Sequence, residues 1–160
     1  MNIEKIPLSY RGKYIQGYRC GRGTDAILLL HGSGTDNALL SWKEVMERLG
    51  KRTVVYAVDL PGYGNSEPLE QIPEEGFYPY FHHCLEAIVD QLKLDRFALA
   101  GVSMGGATVL MASELNLPEN VKGIVADCPY SRPLDIILHV GRTNPLPQWL
   151  IRPFAILGAK

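Results

Sequence analysis

The stretch Gly101-Val102-Ser103-Met104-Gly105-Gly106 decides how the rest of the chain is interpreted. It follows the apolar run Phe97-Ala98-Leu99-Ala100 and precedes a helical pattern over Ala107–Leu115, so it predicts a strand, a tight turn and a helix. The flanking glycines fall where the end of the strand and the start of the helix come too close to admit a Cβ. Ser103 is therefore predicted to stand at the corner, beside the free N–H groups of a helix N-terminus, which stabilise a developing negative charge.

The composition is that of an ordinary globular domain. The chain has 160 residues, 46% of them apolar and 21% charged, with a formal net charge of −1. This length is sufficient for one domain with its own core. A near-zero net charge gives no reason to expect a nucleic acid or an anionic membrane surface as partner.

The cysteines and the N-terminus bear on the expected compartment. The three cysteines, Cys20, Cys84 and Cys128, are widely spaced and form no CxxC pair, which favours reduced thiols over a disulfide framework. The first residues are polar and resemble no signal peptide, and no apolar run is long enough for a membrane span. We therefore expect a cytoplasmic protein without a membrane span.

Strand and helix patterns alternate along the chain. Residues 3–20 predict a β-hairpin that turns at Arg11-Gly12-Lys13. The later pattern comprises strands at 26–30, 53–59, 97–100 and 121–126, with helices around 42–49, 77–94 and 107–115. This order predicts an α/β fold with a mainly parallel, doubly wound sheet, an antiparallel hairpin at its start and helices at the C-terminus. Sites in such sheets form at the carboxyl ends of the strands.

Three motifs follow predicted strands, and their combination is much more specific for one fold family than any single motif. They are His31-Gly32-Ser33-Gly34, Asp59-Leu60-Pro61-Gly62-Tyr63-Gly64-Asn65-Ser66 and Gly101-Val102-Ser103-Met104-Gly105-Gly106. In this order the chain resembles the α/β-hydrolase fold family over roughly residues 1–130.

The resemblance implies roles for particular residues. Ser103 would be the nucleophile, and the backbone N–H of Met104 would be one oxyanion donor. The second donor would come from the loop after the His31 strand, most plausibly Ser33, where Gly32 lets the backbone approach a substrate oxygen. A serine at this corner, rather than an aspartate, implies acyl transfer on a small-molecule acyl substrate, with no cofactor.

The acid and the histidine of the family's catalytic triad are not evident in the sequence. In the family they follow two later strands, and the chain reaches Lys160 without another strand-like run. Asp127 is in the position of the acid in some lipases of this fold, although a loop-capping role is favoured. His139 has the correct order in the chain, but it lies in a predicted helix. We therefore expect an incomplete domain that is inactive or weakly active alone.

The remaining polar candidates favour structural roles. The resemblance implies a structural His31 and an Asp59 that holds the glycine-rich loop. His82 and His83, next to Cys84, suggest a metal site, but adjacent helical residues diverge by about 100°. A solvated helix face is the preferred interpretation, so no metal site is predicted. The glycine motifs match neither the dinucleotide-binding nor the P-loop pattern.

Residues 131–160 are rich in apolar residues and proline. Within a single domain over 1–160, with its sheet core in 1–130, they predict a helical, cap-like or truncated tail. The strand ending at Ala126 would leave a bare sheet edge, which predicts self-association or a partner chain that covers it. Three hypotheses result: a serine hydrolase, a non-catalytic binding protein, or half of a hydrolase that another chain completes.

Overall fold

The computed structural model describes residues 2–114 and 120–129. The predicted C-terminal helices and His139 lie outside the described residues. The described elements are β1 (Glu4–Tyr10), β2 (Lys13–Cys20), β3 (Ala26–Leu30), α1 (Ala38–Leu49), β4 (Val54–Val58), α2 (Phe77–Leu92), β5 (Phe97–Val102), α3 (Met104–Glu114) and β6 (Val121–Asp127).

The strands form one sheet in the order β1-β2-β4-β3-β5-β6. β1 pairs with β2 and β2 with β4 in antiparallel fashion, whereas β4, β3, β5 and β6 run parallel. The hairpin turns at Arg11 and Gly12, which both have positive φ, as the common two-residue hairpin turns require. The predicted mainly parallel sheet with an antiparallel start is confirmed.

The chain reverses its direction of travel across the sheet at β3. It passes from β3 through α1 to β4, and then through α2 across β3 to β5. Right-handed crossovers place α1 on one face of the sheet and α2 and α3 on the other. Such a reversal opens a crevice between the carboxyl ends of the two flanking strands, here β3 and β5. The loop at His31 and the corner at Ser103 both begin there.

The two helical layers bury apolar residues against opposite faces of the sheet. Met46 of α1 packs with Leu29 and Val55 in one fully buried cluster. α2 buries Phe81 and Ile88 along its inner side. Within the described residues, no helix is long and apolar enough to cross a membrane.

α1 begins earlier than the apolar periodicity indicates. The side-chain oxygen of Asn37 accepts the Leu40 N–H at 3.0 Å, and an Asp59 carboxylate oxygen accepts the Ala38 N–H at 2.8 Å. These polar caps satisfy first-turn amides and extend the helix toward its N-terminus.

At the other side of the sheet, β6 is the last strand among the described residues, and its Val125 is 62% exposed.

Candidate active site

Ser103 occupies a strained corner between β5 and α3. Its φ is +52°, in the left-handed region that residues with a side chain seldom adopt. Such a conformation costs about 1–3 kcal/mol and persists only where its surroundings enforce it. Here the Ser103 N–H donates to the Asp127 carbonyl of β6 at 2.9 Å. Ser103 is half-buried.

Glycine on both sides of Ser103 allows close backbone packing. A Cβ at Gly101 would overlap the backbone of Gly105, and one at Gly105 would overlap the carbonyl groups of Leu30 and His31. The Gly105 N–H donates to the His31 carbonyl at 3.1 Å. The first turn of α3 therefore lies directly against the end of β3, which brings the Ser103 corner and the His31 loop together.

Two backbone amides at this crevice have no hydrogen-bond acceptor within the part of the chain that the structure describes. The N–H groups of Ser103 and Gly105 are used by neighbouring strands, whereas that of Met104, between them, is not. The N–H of Ser33, in the loop after β3, is likewise without an acceptor among these residues. Unpaired amides at a helix N-terminus and an adjacent loop can donate to an anionic oxygen.

Gly32 lies beside Ser103, but its amide is already used. A Cβ at Gly32 would stand 3.5 Å from the Ser103 Cβ, so the loop and the corner are in close contact. The Gly32 N–H donates to an Asp36 carboxylate oxygen at 2.8 Å. Gly32 therefore allows the loop to approach Ser103 because it has no side chain, but it does not offer a free N–H donor.

Asp36 is a residue whose importance the motif analysis missed. The oxygen that accepts from Gly32 also accepts from the Ser41 hydroxyl at 2.6 Å, and the second oxygen accepts the Asn37 N–H at 2.8 Å. Burial raises the pKa of Asp36, but these hydrogen bonds outweigh it and hold the pKa below its ordinary value. The ionised carboxylate anchors the loop to the start of α1. An Asp-Asn pair before a helical run is a capping signal that could have revealed it.

His31 is fully buried and both ring nitrogens are engaged. Nδ1 lies 2.6 Å from the Gly32 carbonyl, and Nε2 accepts the Leu60 N–H at 3.0 Å. Burial lowers the pKa of His31, which favours the neutral ring that this pair of bonds requires. The ring ties the end of β3 to the loop after β4 and has no nitrogen left for Ser103. This geometry agrees with the structural role that the resemblance implies.

Asp59 holds the glycine-rich loop. One carboxylate oxygen accepts the Ala38 N–H, and the other accepts the Asn65 N–H at 2.8 Å and the Tyr18 hydroxyl at 3.2 Å. Gly64 passes so close that a Cβ there would overlap the carboxylate. The side chain is fully buried and its oxygens are committed to these donors.

Asp127 contacts Ser103 through its backbone. Its carbonyl accepts the Ser103 N–H, while its residue surface is exposed. A hydrogen bond to the Asp127 carboxylate is the main cause that raises the pKa of the Cys128 thiol. Its candidate role as the acid therefore stays a prediction, as does that of His139. Among the described residues, the remaining histidines, His82 and His83, lie on α2.

Tyr63 connects the glycine-rich loop with the corner. Its hydroxyl lies 3.5 Å from the Met104 sulfur, and its ring packs 5.1 Å from that of His31 and 6.4 Å from that of Phe81. The contact of Phe81 with Tyr63 thus links α2 to the Ser103 region. This connection was not evident from the motifs, because it depends on how α2 packs.

Comparison with known proteins gives a consistent family assignment. A family model for the alpha/beta hydrolase fold matches residues 25–159. The chain is 36% identical over 100 residues to a 2-hydroxy-6-oxo-2,4-heptadienoate hydrolase of Pseudomonas putida, covering 62% of this chain and 35% of the relative. It is 32% identical over 115 residues to a pimeloyl-[acyl-carrier protein] methyl ester esterase of Yersinia pseudotuberculosis, covering 71% of this chain and 40% of the relative.

Solved structures share the fold. A haloalkane dehalogenase from Agrobacterium tumefaciens superimposes with a TM-score of 0.70 at 23% identity, over 89% of this chain and 50% of that one. At this identity the likeness concerns the fold. The chain spans at most about two fifths of the length of the two curated relatives above.

Proposed function

The chain belongs to the α/β-hydrolase family, and on this premise we propose that Ser103 is the nucleophile of a serine hydrolase acting on an ester, thioester or similar acyl bond. The observation that carries the proposal is the left-handed corner at Ser103, beside the amides of Met104 and Ser33, which have no acceptor among the described residues. A strained backbone at a strand–helix junction is the arrangement that presents a nucleophilic serine in this family.

The proposed reaction begins when the Ser103 hydroxyl attacks the substrate carbonyl carbon. The carbonyl oxygen becomes an anion, and the N–H groups of Met104 and Ser33 donate to it. Each such donor stabilises the transition state by about 3 kcal/mol. The leaving group departs with a proton, and water then hydrolyses the acyl-serine. The hydroxyl proton needs a base, because an unactivated alcohol is a weak nucleophile at neutral pH.

The base is the missing component of this proposal. His31 is buried with both nitrogens engaged, and the other described histidines are on α2. The base must come from outside the described residues, with His139 as the candidate in this chain, or from another chain. Without a base the rate falls by about 10⁴-fold or more, so we expect the chain alone to be inactive or weakly active unless His139 supplies the base.

The names of two relatives support a carbonyl compound as the class of substrate. One is named as a methyl ester esterase, and another as a hydrolase of an oxo-dienoate. Attack on a carbonyl carbon with development of an oxyanion is common to both kinds of substrate. We propose the same step for this chain, because a serine at the corner, rather than an aspartate, favours acyl transfer over dehalogenation or epoxide opening.

A fluorophosphonate probe tests the nucleophile. We expect a slow adduct on Ser103, located by mass spectrometry of peptides, and none in Ser103→Ala. Ser113→Ala is the matched control, because Ser113 is an exposed serine on α3 and its loss should leave the labelling rate unchanged. His139→Ala then shows whether that residue supplies the base. No adduct after prolonged exposure, or equal labelling of Ser103→Ala, would refute the proposed hydrolase.

A second candidate is a binding protein or one half of a hydrolase that another chain completes. The observation that favours it is the position of β6, which ends the sheet among the described residues with Val125 62% exposed. Sedimentation of the purified chain tests it. Association that disappears in Val125→Lys would support a partner on this edge, whereas a stable monomer would argue against it.

A further inference from the structure

The outer side of α2 carries a cluster of three potential metal ligands that the proposed reaction does not use. One ligand atom from each of His82, His83 and Glu86 can be chosen so that all three lie within 4.8 Å of one another. The His82 Nδ1 lies 3.8 Å from a Glu86 carboxylate oxygen. His83 and Glu86 are exposed, so an ion in solution can reach them.

Helix geometry explains why these three side chains converge. Adjacent residues diverge by about 100°, which argues against His82 and His83 as an isolated pair. Glu86 follows His82 by four positions and His83 by three, and both are same-face spacings. Its direction falls between those of the two imidazoles, one turn further along. Cys84, the next residue in the sequence after His83, is fully buried, and its thiol is not part of this cluster.

We propose that His82, His83 and Glu86 bind one divalent transition-metal ion, and that Zn²⁺ suits this ligand set best. Two imidazole nitrogens and one carboxylate oxygen are typical zinc ligands, whereas Mg²⁺ and Ca²⁺ prefer all-oxygen sites. Tetrahedral zinc with bonds of about 2.0–2.2 Å needs its ligand atoms about 3.3–3.5 Å apart. Side-chain rotation closes the remaining gap, and water completes the coordination.

The local charge also favours a cation. Glu86 contributes a negative charge to the cluster, and Glu75, which pairs with Arg11, is close enough to His83 for the two to interact electrostatically.

Binding at this site would stabilise the part of α2 that reaches the Ser103 region. Phe81 immediately precedes the cluster and packs against Tyr63, whose hydroxyl contacts Met104. The ion would hold the helical turn between His82 and Glu86, and the unfolded chain lacks this arrangement. Zinc should therefore raise the melting temperature.

Calorimetric titration of the chain with zinc chloride tests the site. The protein carries no affinity tag and has Cys128→Ser, so that the exposed thiol does not bind metal. We expect one ion per chain, affinity reduced about tenfold or more in His83→Ala and Glu86→Gln, and no change in Glu44→Gln. Glu44 is the matched control, since it is an exposed glutamate on α1.

A cobalt(II) titration identifies the ligands. Visible d–d absorption without a thiolate charge-transfer band would support the imidazole and carboxylate set. No zinc binding, binding that survives both Glu86→Gln and His83→Ala, or a thiolate band would overturn the proposal. Glu86→Gln is isosteric and at an exposed position, so it shows whether Glu86 is a zinc ligand even where His83→Ala fails to fold. None of these measurements depends on the Ser103 chemistry.

Discussion

Replacing Asp59 by asparagine should destabilise the chain by a predictable amount. The carboxylate accepts two backbone N–H groups, from Ala38 and Asn65, and the Tyr18 hydroxyl. An asparagine keeps one oxygen and places an NH₂ group where the other oxygen stood. If the NH₂ faces Asn65 and Tyr18, the tyrosine hydroxyl can rotate to accept from it. In either orientation, however, one backbone N–H loses its acceptor.

The magnitude follows from the burial around the carboxylate, whose bond with the Ala38 N–H is buried and whose bond with the Asn65 N–H is partly buried. A buried donor left unpaired costs about 1–3 kcal/mol, so Asp59→Asn should lower the free energy of unfolding by that amount. Asp59→Ala leaves both N–H groups unpaired and should cost about 2–6 kcal/mol. A typical domain has a free energy of unfolding of about 5–15 kcal/mol. The asparagine variant should therefore fold, whereas the alanine variant could lose most of its stability.

Urea unfolding followed by tryptophan fluorescence measures the change. Trp42 of α1 packs against the core cluster on its side of the sheet, so it reports on the element that Asp59 caps. Asp95→Asn is the control, because Asp95 is an exposed aspartate and its replacement should change stability by less than about 0.5 kcal/mol. Equal midpoints for Asp59→Asn and Asp95→Asn would refute the reasoning that the hydrogen bonds of the buried Asp59 carboxylate stabilise the loop.

Three further predictions concern the same region. Because burial lowers the pKa of His31, the unfolded chain takes up a proton below about pH 6.5 that the folded chain does not. The free energy of unfolding should therefore decrease as the pH is lowered below this value, by up to about 1.4 kcal/mol per pH unit. In His31→Gln, the free energy of unfolding measured with urea should depend less steeply on pH. Gly105→Ala should cost about 1–3 kcal/mol in the same assay because its Cβ meets backbone, whereas Gly123→Ala, which has open space, should cost little. Ellman's reagent should modify exposed Cys128 in the folded chain but not Cys84, whose pKa burial raises to about 12, and a fast reaction of Cys84 would contradict this burial.

The sequence predicted the features that depend on local pattern. The unbroken apolar run of β3 and the glycines around Ser103 each constrain the backbone within a few residues. The mainly parallel sheet followed from the alternation of such segments. The positions of Ser103 and the His31 loop at neighbouring strand ends followed from the general rule for sites in these sheets.

Features that depend on long-range packing could not be predicted in this way. The early start of α1 depends on Asp59, which lies 21 positions away in the chain. The hydrogen bond of the Gly32 N–H depends on the orientation of the Asp36 side chain, which a pattern of apolar residues does not predict. The contact of Phe81 with Tyr63 required α2 to be placed on the sheet. The acid and base assignments, Asp127 and His139, stay predictions.

Two backbone hydrogen bonds tie the corner at Ser103 to the neighbouring strands β6 and β3. The Asp127 carbonyl of β6 accepts the Ser103 N–H, and the His31 carbonyl at the end of β3 accepts the Gly105 N–H. Neither bond uses a side chain that could act as acid or base. The strain at φ +52° is therefore maintained independently of any triad partner. The proposed nucleophile is therefore already in position before a base from another segment or another chain binds beside it. Asp127→Ala should leave the corner intact, because the Asp127 carbonyl remains, and so it tests the role of the carboxylate alone.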